Sequence, residues 1–317
     1  MNSPPVPLLE VIKPGLLTTL QDLGRPGYQR YGVSPGGAMD PFALRLANRL
    51  VGNPEEYAAL EITTQGPELR TLRDCVVAIT GGNLSPTLES VPLPLWRSVH
   101  LNEGKSIVFR ERISGARAYL SIAGGFFASQ VLGSRSTDLQ SRFGGLKGRR
   151  LLRADVLLRN GEPQPHTRRR QASSTVLKQY RDPLLLRVIA GPQAPLLSPG
   201  VMEEFLRSDY LVTPASNRVG YRLEGPPIRV APPEIISDPV PFGAVQLLPS
   251  GQPILLMADH QTVGGYPKIA TLISADVPKA AQLSIGDRIQ FRRVSLEEAH
   301  QLLKAQEMLI ETAVSEE

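Results

Sequence analysis

Three landmarks occur twice in this 317-residue sequence, in the same order, and they constrain the fold more than any other feature. Arg25-Pro26-Gly27-Tyr28 matches Arg218-Val219-Gly220-Tyr221. Leu60-Glu61 followed by Gly66-Pro67-Glu68-Leu69-Arg70 matches Leu223-Glu224-Gly225-Pro226-Pro227-Ile228-Arg229. Leu101–Phe109 and Leu283–Phe291 share Leu, Gly, Ile and Phe at identical spacing, the pattern of a glycine turn feeding a half-buried strand. Three matches in register predict two related β-domains. Composition agrees: 28 Gly and 29 Pro mark turns and break helices, while 41% hydrophobic residues suffice for a sizeable core. The expected class is therefore mainly β with a few short helices. The first domain is expected over 1–165, a linker over 166–182 and the second domain over 183–317.

Local signals fill in this frame. Asp40 is placed to cap a helix with Pro41 in its first turn, closed by Gly52-Asn53, so a helical insertion is expected at about 40–53. Ser198-Pro199 opens a second helix around Met202, Phe205 and Leu206. Ser295 with Glu298 forms a capping-box pattern before a C-terminal helix over about 295–311. Short β-rich runs at Cys75–Thr80, Ser106–Phe109, Ala118–Ala123, Leu184–Ala190, Ile254–Ala258, Ile269–Ser274 and Arg288–Arg292 predict strands. Between Asn160 and Pro183 no apolar period is sustained, which marks the linker and makes Arg168–Arg170 a solvated patch.

Charge is uneven. The first 160 residues carry 19 Lys and Arg against 13 Asp and Glu, within a net +5 for the chain. That balance suits anionic small molecules or an acidic partner surface. Nucleic acid is disfavoured, because the charges are scattered and not interleaved with stacking aromatics. The single cysteine, Cys75, allows no internal disulfide and is expected in an apolar strand. No signal peptide pattern opens the chain and no apolar run reaches membrane-spanning length, so a cytoplasmic protein without a membrane partner is expected.

Three glycine-rich polar clusters are candidate sites. In the first, Gln21, Asp22 and Arg25 precede the run Gly36-Gly37-Ala38-Met39-Asp40. A carboxylate and a guanidinium fork near exposed backbone N–H groups suit an amide or carboxylate substrate. The alternative is an Asp22–Arg25 ion pair among plain turns, with Asp40 only capping its helix. The second, Gly133-Ser134-Arg135-Ser136-Thr137, offers hydroxyls and one Arg to an oxyanion, or forms a hydroxyl-rich turn. No neighbouring His or acid in sequence would activate Ser134. The third, Asp259 to Lys268, includes Gln261, Thr262, Gly264, Gly265 and Tyr266. Asp259 and Lys268 are acid–base candidates there, against a hairpin turn at Gly264-Gly265 and a solvated Lys268. His260 has no His or Cys at ligand spacing, so no metal site is expected. Gly104-Lys105-Ser106 imitates the end of a phosphate loop, but position 99 is Val and the matching copy replaces Lys105 with Asp287, which predicts a turn.

The stretches Gln21–Gly27, Gly36–Asp40, Ala47-Asn48 through Gly52-Asn53, Leu60–Thr63, Gly133–Thr137, Asn217–Gly225, Gly251–Pro253 and Asp259–Lys268 resemble the KipA family, also called allophanate hydrolase subunit 2. The family is known as a biotin-dependent carboxyltransferase domain. The resemblance spans about Val11 to Ala299 and implies two cyclophilin-like β-barrels. It also implies a role as the C component (PxpC) of an ATP-dependent 5-oxoprolinase, acting with a KipI-like (PxpB) and a PxpA-like subunit to turn 5-oxo-L-proline into L-glutamate. ATP would be a co-substrate at a site shared with a partner chain. Biotin would not be attached to this chain, which has no Met-Lys-Met pattern. Two rivals stand beside this: a urea carboxylase-like carboxyltransferase, and a regulatory module that binds a kinase inhibitor without turnover. Under the resemblance the catalytic candidates are Asp22, Arg25, Arg135 and Asp259. Substrate-binding candidates are Gln21, Gly36, Gly37, Asp40, Ser134, Ser136, Thr137, Arg218, Tyr221, Gln261, Thr262, Gly264, Gly265, Tyr266 and Lys268. Position 36 is Gly where the family commonly has Ser, and position 260 is His where Arg is common.

Overall fold

The computed structural model describes residues 4–161, 169–182, 184–228 and 236–316. The chain is mainly β and divides into two compact units that interleave in sequence: one holds residues up to Arg25, Gly36–Val176 and Leu309 onward, the other Pro26–Pro35 and Leu177–Met308.

In the first unit a seven-stranded sheet runs in the order Phe126–Phe127, Val156–Arg159, Val6–Lys13, Glu68–Thr71, Ser106–Phe109, Pro86–Leu88, Val91–Pro92. A five-stranded sheet runs Leu17–Gln21, Ala59–Thr63, Ser114–Ile122, Cys75–Asn83, Ser98–Leu101. Side chains from both sheets, among them Leu9, Val11, Leu60, Ile107 and Leu120, make one core. The place of strand Ser114–Ile122 explains why its sequence is nearly all small or apolar. Ala118, Leu120 and Ile122 enter that core, while Ser121 on the other face donates to Asn48 Oδ1 (3.0 Å) of helix Pro41–Leu50. A strand covered on both faces loses the polar alternation of a solvated one. Asp40 caps that helix, its Oδ1 accepting from the Ala43 N–H at 2.9 Å. Cys75 lies in the core, and burial pushes its thiol up to about 12.

The second unit is a closed barrel of seven strands: Leu185–Ala190, Lys268–Leu272, Ala244–Leu247, Pro253–Leu256, Gly220–Glu224, Tyr210–Val212 and Arg288–Arg293. Parallel pairing of Leu185–Ala190 with Arg288–Arg293 closes it. Phe205, from the helix Val201–Arg207, stacks on Phe291 at 4.7 Å and plugs one side. Ser295 caps the helix Leu296–Thr312 by accepting from the Glu298 N–H at 3.0 Å.

The duplicated landmark is repeated in hydrogen bonds. Gly104 N–H donates to Thr71 O and Thr71 N–H to Lys105 O; Gly286 N–H donates to Val212 O and Val212 N–H to Asp287 O, all at 2.8–2.9 Å. Gly104 and Gly286 have φ of +80° and +93°, with nothing within 4 Å of where a Cβ would stand. Gly286→Ala is therefore expected to cost only left-handed backbone strain, about 1–2 kcal/mol in denaturant unfolding.

The stretch expected to be a patternless linker carries structure. Arg170–Ala172 pairs as a strand with Val314–Glu316, and a 3₁₀ helix covers Ser174–Tyr180 with Val176 buried. Arg170 is not a solvated charge: its guanidinium reaches Glu316 at 3.1 Å. A three-residue strand, Arg170-Gln171-Ala172, in a two-stranded sheet leaves no apolar period to detect. Arg168 lies outside the described residues.

Candidate functional site

The first two sequence clusters meet in the first unit, around one buried carboxylate. Asp22 Oδ1 accepts from the Ser134 hydroxyl (2.7 Å), the Ser136 hydroxyl (2.6 Å) and the Gly24 N–H (2.8 Å), and Oδ2 from the Arg135 N–H (2.5 Å). The Asp22 N–H donates in turn to Ser136 Oγ (2.9 Å), and the Ala38 N–H to Asp22 O (2.9 Å), which brings the Gly36–Asp40 run alongside. Two strand-adjacent loops more than 110 residues apart are thereby fastened together. Gln21 and Thr137 complete the seam: Gln21 Nε2 donates to Thr137 O (3.2 Å) and Thr137 Oγ1 to Leu20 O (3.0 Å).

This geometry corrects one expectation. Asp22 is held by hydroxyl and backbone donors, while Arg25 Nη2 donates to Ser136 O (2.5 Å) and its guanidinium lies 4.7 Å from the Phe143 ring centroid. An acid does stand beside Ser134, but the seryl proton is committed to Asp22 and the side chain is fully buried, so Ser134 is a structural donor. Phe143, Gly144 and Gly145, which close this seam, carry no motif that would mark them in the sequence. A Cβ on Gly144 would stand 2.1 Å from Ser136 O, and one on Gly145 1.9 Å from Thr137 Oγ1, with φ of +69° and +50°. Gly144→Ala is expected to destabilise well beyond Gly286→Ala, because a main-chain carbonyl has to move in addition to the strain. Gly37 (φ +87°) is as close to Gly24, its Cβ position 2.7 Å from Gly24 N.

Asp40, a substrate-binding candidate by resemblance, caps its helix, and its N–H donates to Tyr119 Oη (2.8 Å). Tyr119 in turn donates to Glu61 Oε2 (2.7 Å), which also accepts from the Met39 N–H (2.9 Å). Burial, first, and the neighbouring Glu61 carboxylate hold the Tyr119 hydroxyl well above its ordinary range, so it stays a donor. Glu61 and Tyr119 are not legible as site neighbours, since each sits in an ordinary-looking strand.

In the second unit Arg218 and Asp259 form a buried bidentate pair, Nε to Oδ2 and Nη2 to Oδ1, both at 2.9 Å. Asp259 thus accepts from one guanidinium at both of its oxygens. Lys268, expected as a solvated charge or a base, is 2% exposed and its ammonium donates to Asp238 Oδ1 and to Pro239 O (3.1 Å). Lys268, with support from Gln193, holds the Asp238 carboxyl below the usual carboxylate range. Gly264 is no hairpin turn: Val263–Gly264 pairs with Asp238–Pro239. Gln246 gathers the rest of the cluster, donating to Tyr266 O (3.2 Å) and accepting from Gln261 Nε2 (3.3 Å), with Gly264 against its amide. The Val240 N–H donates to Thr262 O (3.0 Å); Gly265 and Tyr266 are exposed. Tyr221 is buried in its barrel strand opposite Leu255.

His260 is fully buried; its Nδ1 lies 2.7 Å from Gln261 O, which fixes the Nδ1–H tautomer. Burial lowers its pKa below the ordinary 6.5. The unfolded chain then binds the proton more readily than the folded one, so stability is full above the unfolded pKa and falls as pH drops through about 6.5. The expected result is an acid-side loss of urea stability that is blunted in His260→Gln.

Among the described residues no group of three or more His, Cys, Asp or Glu is placed to hold a metal ion, and no helix is long and apolar enough to cross a membrane. The Gly104-Lys105-Ser106 turn does not fit a nucleotide phosphate. Its N–H groups donate to Thr71 O (2.9 Å), Thr71 Oγ1 (2.8 Å) and Glu89 Oε1 (2.8 Å), leaving no cradle.

Residues 31–293 match the family described as carboxyltransferase domain, subdomain A and B. The chain is 34% identical over 305 residues to the C component of 5-oxoprolinase from Haemophilus influenzae, covering 96% of this chain and 97% of that protein. It is 37% identical over 295 residues to the corresponding 5-oxoprolinase component of Escherichia coli K12, covering 92% and 93%. The crystal structure of K. lactis urea amidolyase superposes with a TM-score of 0.87 at 32% identity, over 96% of this chain and 20% of that one. With the duplicated β-architecture and its glycine-rich seams, these matches establish that the chain belongs to the carboxyltransferase-domain family, subdomain A and B.

Proposed function

We propose that this chain is the C component of an ATP-dependent 5-oxoprolinase, which opens the lactam of 5-oxo-L-proline to L-glutamate with hydrolysis of ATP. The observation that carries the reading is the near end-to-end match to two bacterial proteins of that name, 97% and 93% of their lengths. A lactam is a poor electrophile, so coupling its opening to ATP is chemically reasonable. The loop that imitates a phosphate site here has its N–H groups taken up by Thr71 and Glu89, which favours an ATP site completed by partner chains of the KipI (PxpB) and PxpA types. Asp22, Arg25 and Asp259 then act chiefly by holding loops in place.

The test is reconstitution. Purified with the two partners, the chain is expected to support ATP-dependent release of glutamate from 5-oxoproline, and omission of this chain is expected to abolish it. Turnover that persists without the chain overturns the reading. The likeness to urea amidolyase supports a second reading, transfer of a carboxyl group to urea, so the same preparation with a biotinylated carrier and urea is the paired assay. Carboxylation of urea without turnover of 5-oxoproline decides for that rival.

A further inference from the structure

Beside the Asp22 seam the first unit has an open-sided pocket of about 340 Å³, at the lower end of the roughly 300–1,000 Å³ typical of small-ligand sites. Its floor is apolar, with Leu20, Phe126 and Leu157 all buried, and one wall is the Gly144-Gly145 backbone. That wall cannot retreat, because both glycines already abut Ser136 and Thr137. Polar character is confined to the rim. Lys147 lines the pocket and forms no ion pair among the described residues; it is exposed. Ala128 is also in the lining, and its carbonyl accepts from Arg135 Nε at 3.1 Å; among the described residues the rest of that guanidinium has no hydrogen-bond partner. The lining includes no carboxylate.

We propose that this pocket is a binding site for a small monocarboxylate with a compact, weakly polar ring or chain. The body lies on Phe126, Leu20 and Leu157, and the carboxylate meets the Lys147 ammonium and the spare Arg135 N–H groups at the rim. Each observation points to one part of that ligand. An apolar floor takes carbon and rejects a multiply charged anion. The Lys147 ammonium in a lining that holds no carboxylate, the nearby Asp155 being engaged by Arg149, favours a carboxylate over a neutral amide. Asp22 is on this account a positioning residue: by gripping Ser134, Ser136 and the Arg135 N–H it fixes both the glycine wall's backing and the place from which Arg135 reaches Ala128. The choice of 5-oxo-L-proline as occupant rests on the function proposed above; the carboxylate preference does not.

The experiment is calorimetric titration of the purified full chain with three probes. These are 5-oxo-L-proline, cyclopentanecarboxylate (the same outline without the lactam) and 2-pyrrolidinone (the lactam without the carboxylate). Both carboxylates are expected to bind about tenfold or more tightly than pyrrolidinone, the factor for one well-placed ionic contact. Val156→Trp, at an exposed rim position, is expected to block all binding by filling the pocket, and Lys147→Glu to weaken the carboxylates about tenfold while sparing pyrrolidinone. Circular dichroism and the unfolding midpoint of each variant establish that it is folded. Equal binding of all three probes, no binding of any, or unchanged affinity in folded Val156→Trp overturns the site. Cyclopentanecarboxylate binding that Val156→Trp abolishes, with no turnover of 5-oxoproline in the reconstituted assay, keeps the site and removes the 5-oxoprolinase reading. Turnover unaffected by Val156→Trp does the reverse.

Discussion

Asp22→Ala is expected to lower the unfolding free energy of the chain by about 2–6 kcal/mol, because buried donors left without an acceptor carry their full desolvation cost. The carboxylate is 6% exposed and satisfies four donors, of which the Gly24 and Arg135 N–H groups cannot rotate to find another acceptor. Each buried donor left without a partner costs about 1–3 kcal/mol, while the Ser134 and Ser136 hydroxyls can turn elsewhere at smaller cost. Asp22→Asn keeps Oδ1 but sets an amide NH₂ against the Arg135 N–H, so it is expected to lose about 1–3 kcal/mol. The measurement is urea unfolding of both variants, with binding of cyclopentanecarboxylate as the companion readout. Loss of stability and binding together is the expected pattern for a positioning residue. An Asp22→Ala chain as stable as wild type would show that the seam does not depend on this carboxylate.

Arg218→Met is expected to cost about 3–5 kcal/mol, since it strands the Asp259 carboxylate, 8% exposed and largely out of water. Asp259→Leu removes the bidentate acceptor of Arg218, which is 4% exposed. The double variant, with no charge left to strand, is expected to recover much of the loss. A double-mutant cycle in urea should therefore give a coupling on the order of 1–3 kcal/mol. Additive losses would mean that the two residues act on the barrel independently, against their two 2.9 Å contacts.

Asp22 and Asp259 are both visible in the sequence, but the partners that give them their roles are not. Asp22 stands out because a carboxylate, an arginine and several glycines share one short loop. Nothing in that loop announces Ser134 and Ser136, which lie 112 and 114 positions away. Lys268 reads as an edge charge because its ion partner, Asp238, is 30 residues distant and in a two-residue strand too short to show a pattern. Gly144 and Gly145 give no signal beyond composition. Their importance lies in what a Cβ would strike, and that is set by another loop. The rim of the pocket, Lys147 and Val156, belongs to the same class.

Local and repeated features are the ones legible from the chain alone. Strand Ser106–Phe109 and the capped helices at Asp40 and Ser295 can be read because cap and turn chemistry acts within four residues. The paired glycines Gly104 and Gly286 can be read because a left-handed φ is a demand on one residue, and the duplication makes the demand visible twice. Which polar groups face one another is instead a matter of three-dimensional packing. Buried donors and carboxylates must be satisfied, but many arrangements of turns would satisfy them. The choice falls to sheet packing, which in the first unit sets Asp22 against the 134–136 loop and leaves an apolar hollow with Lys147 at its edge.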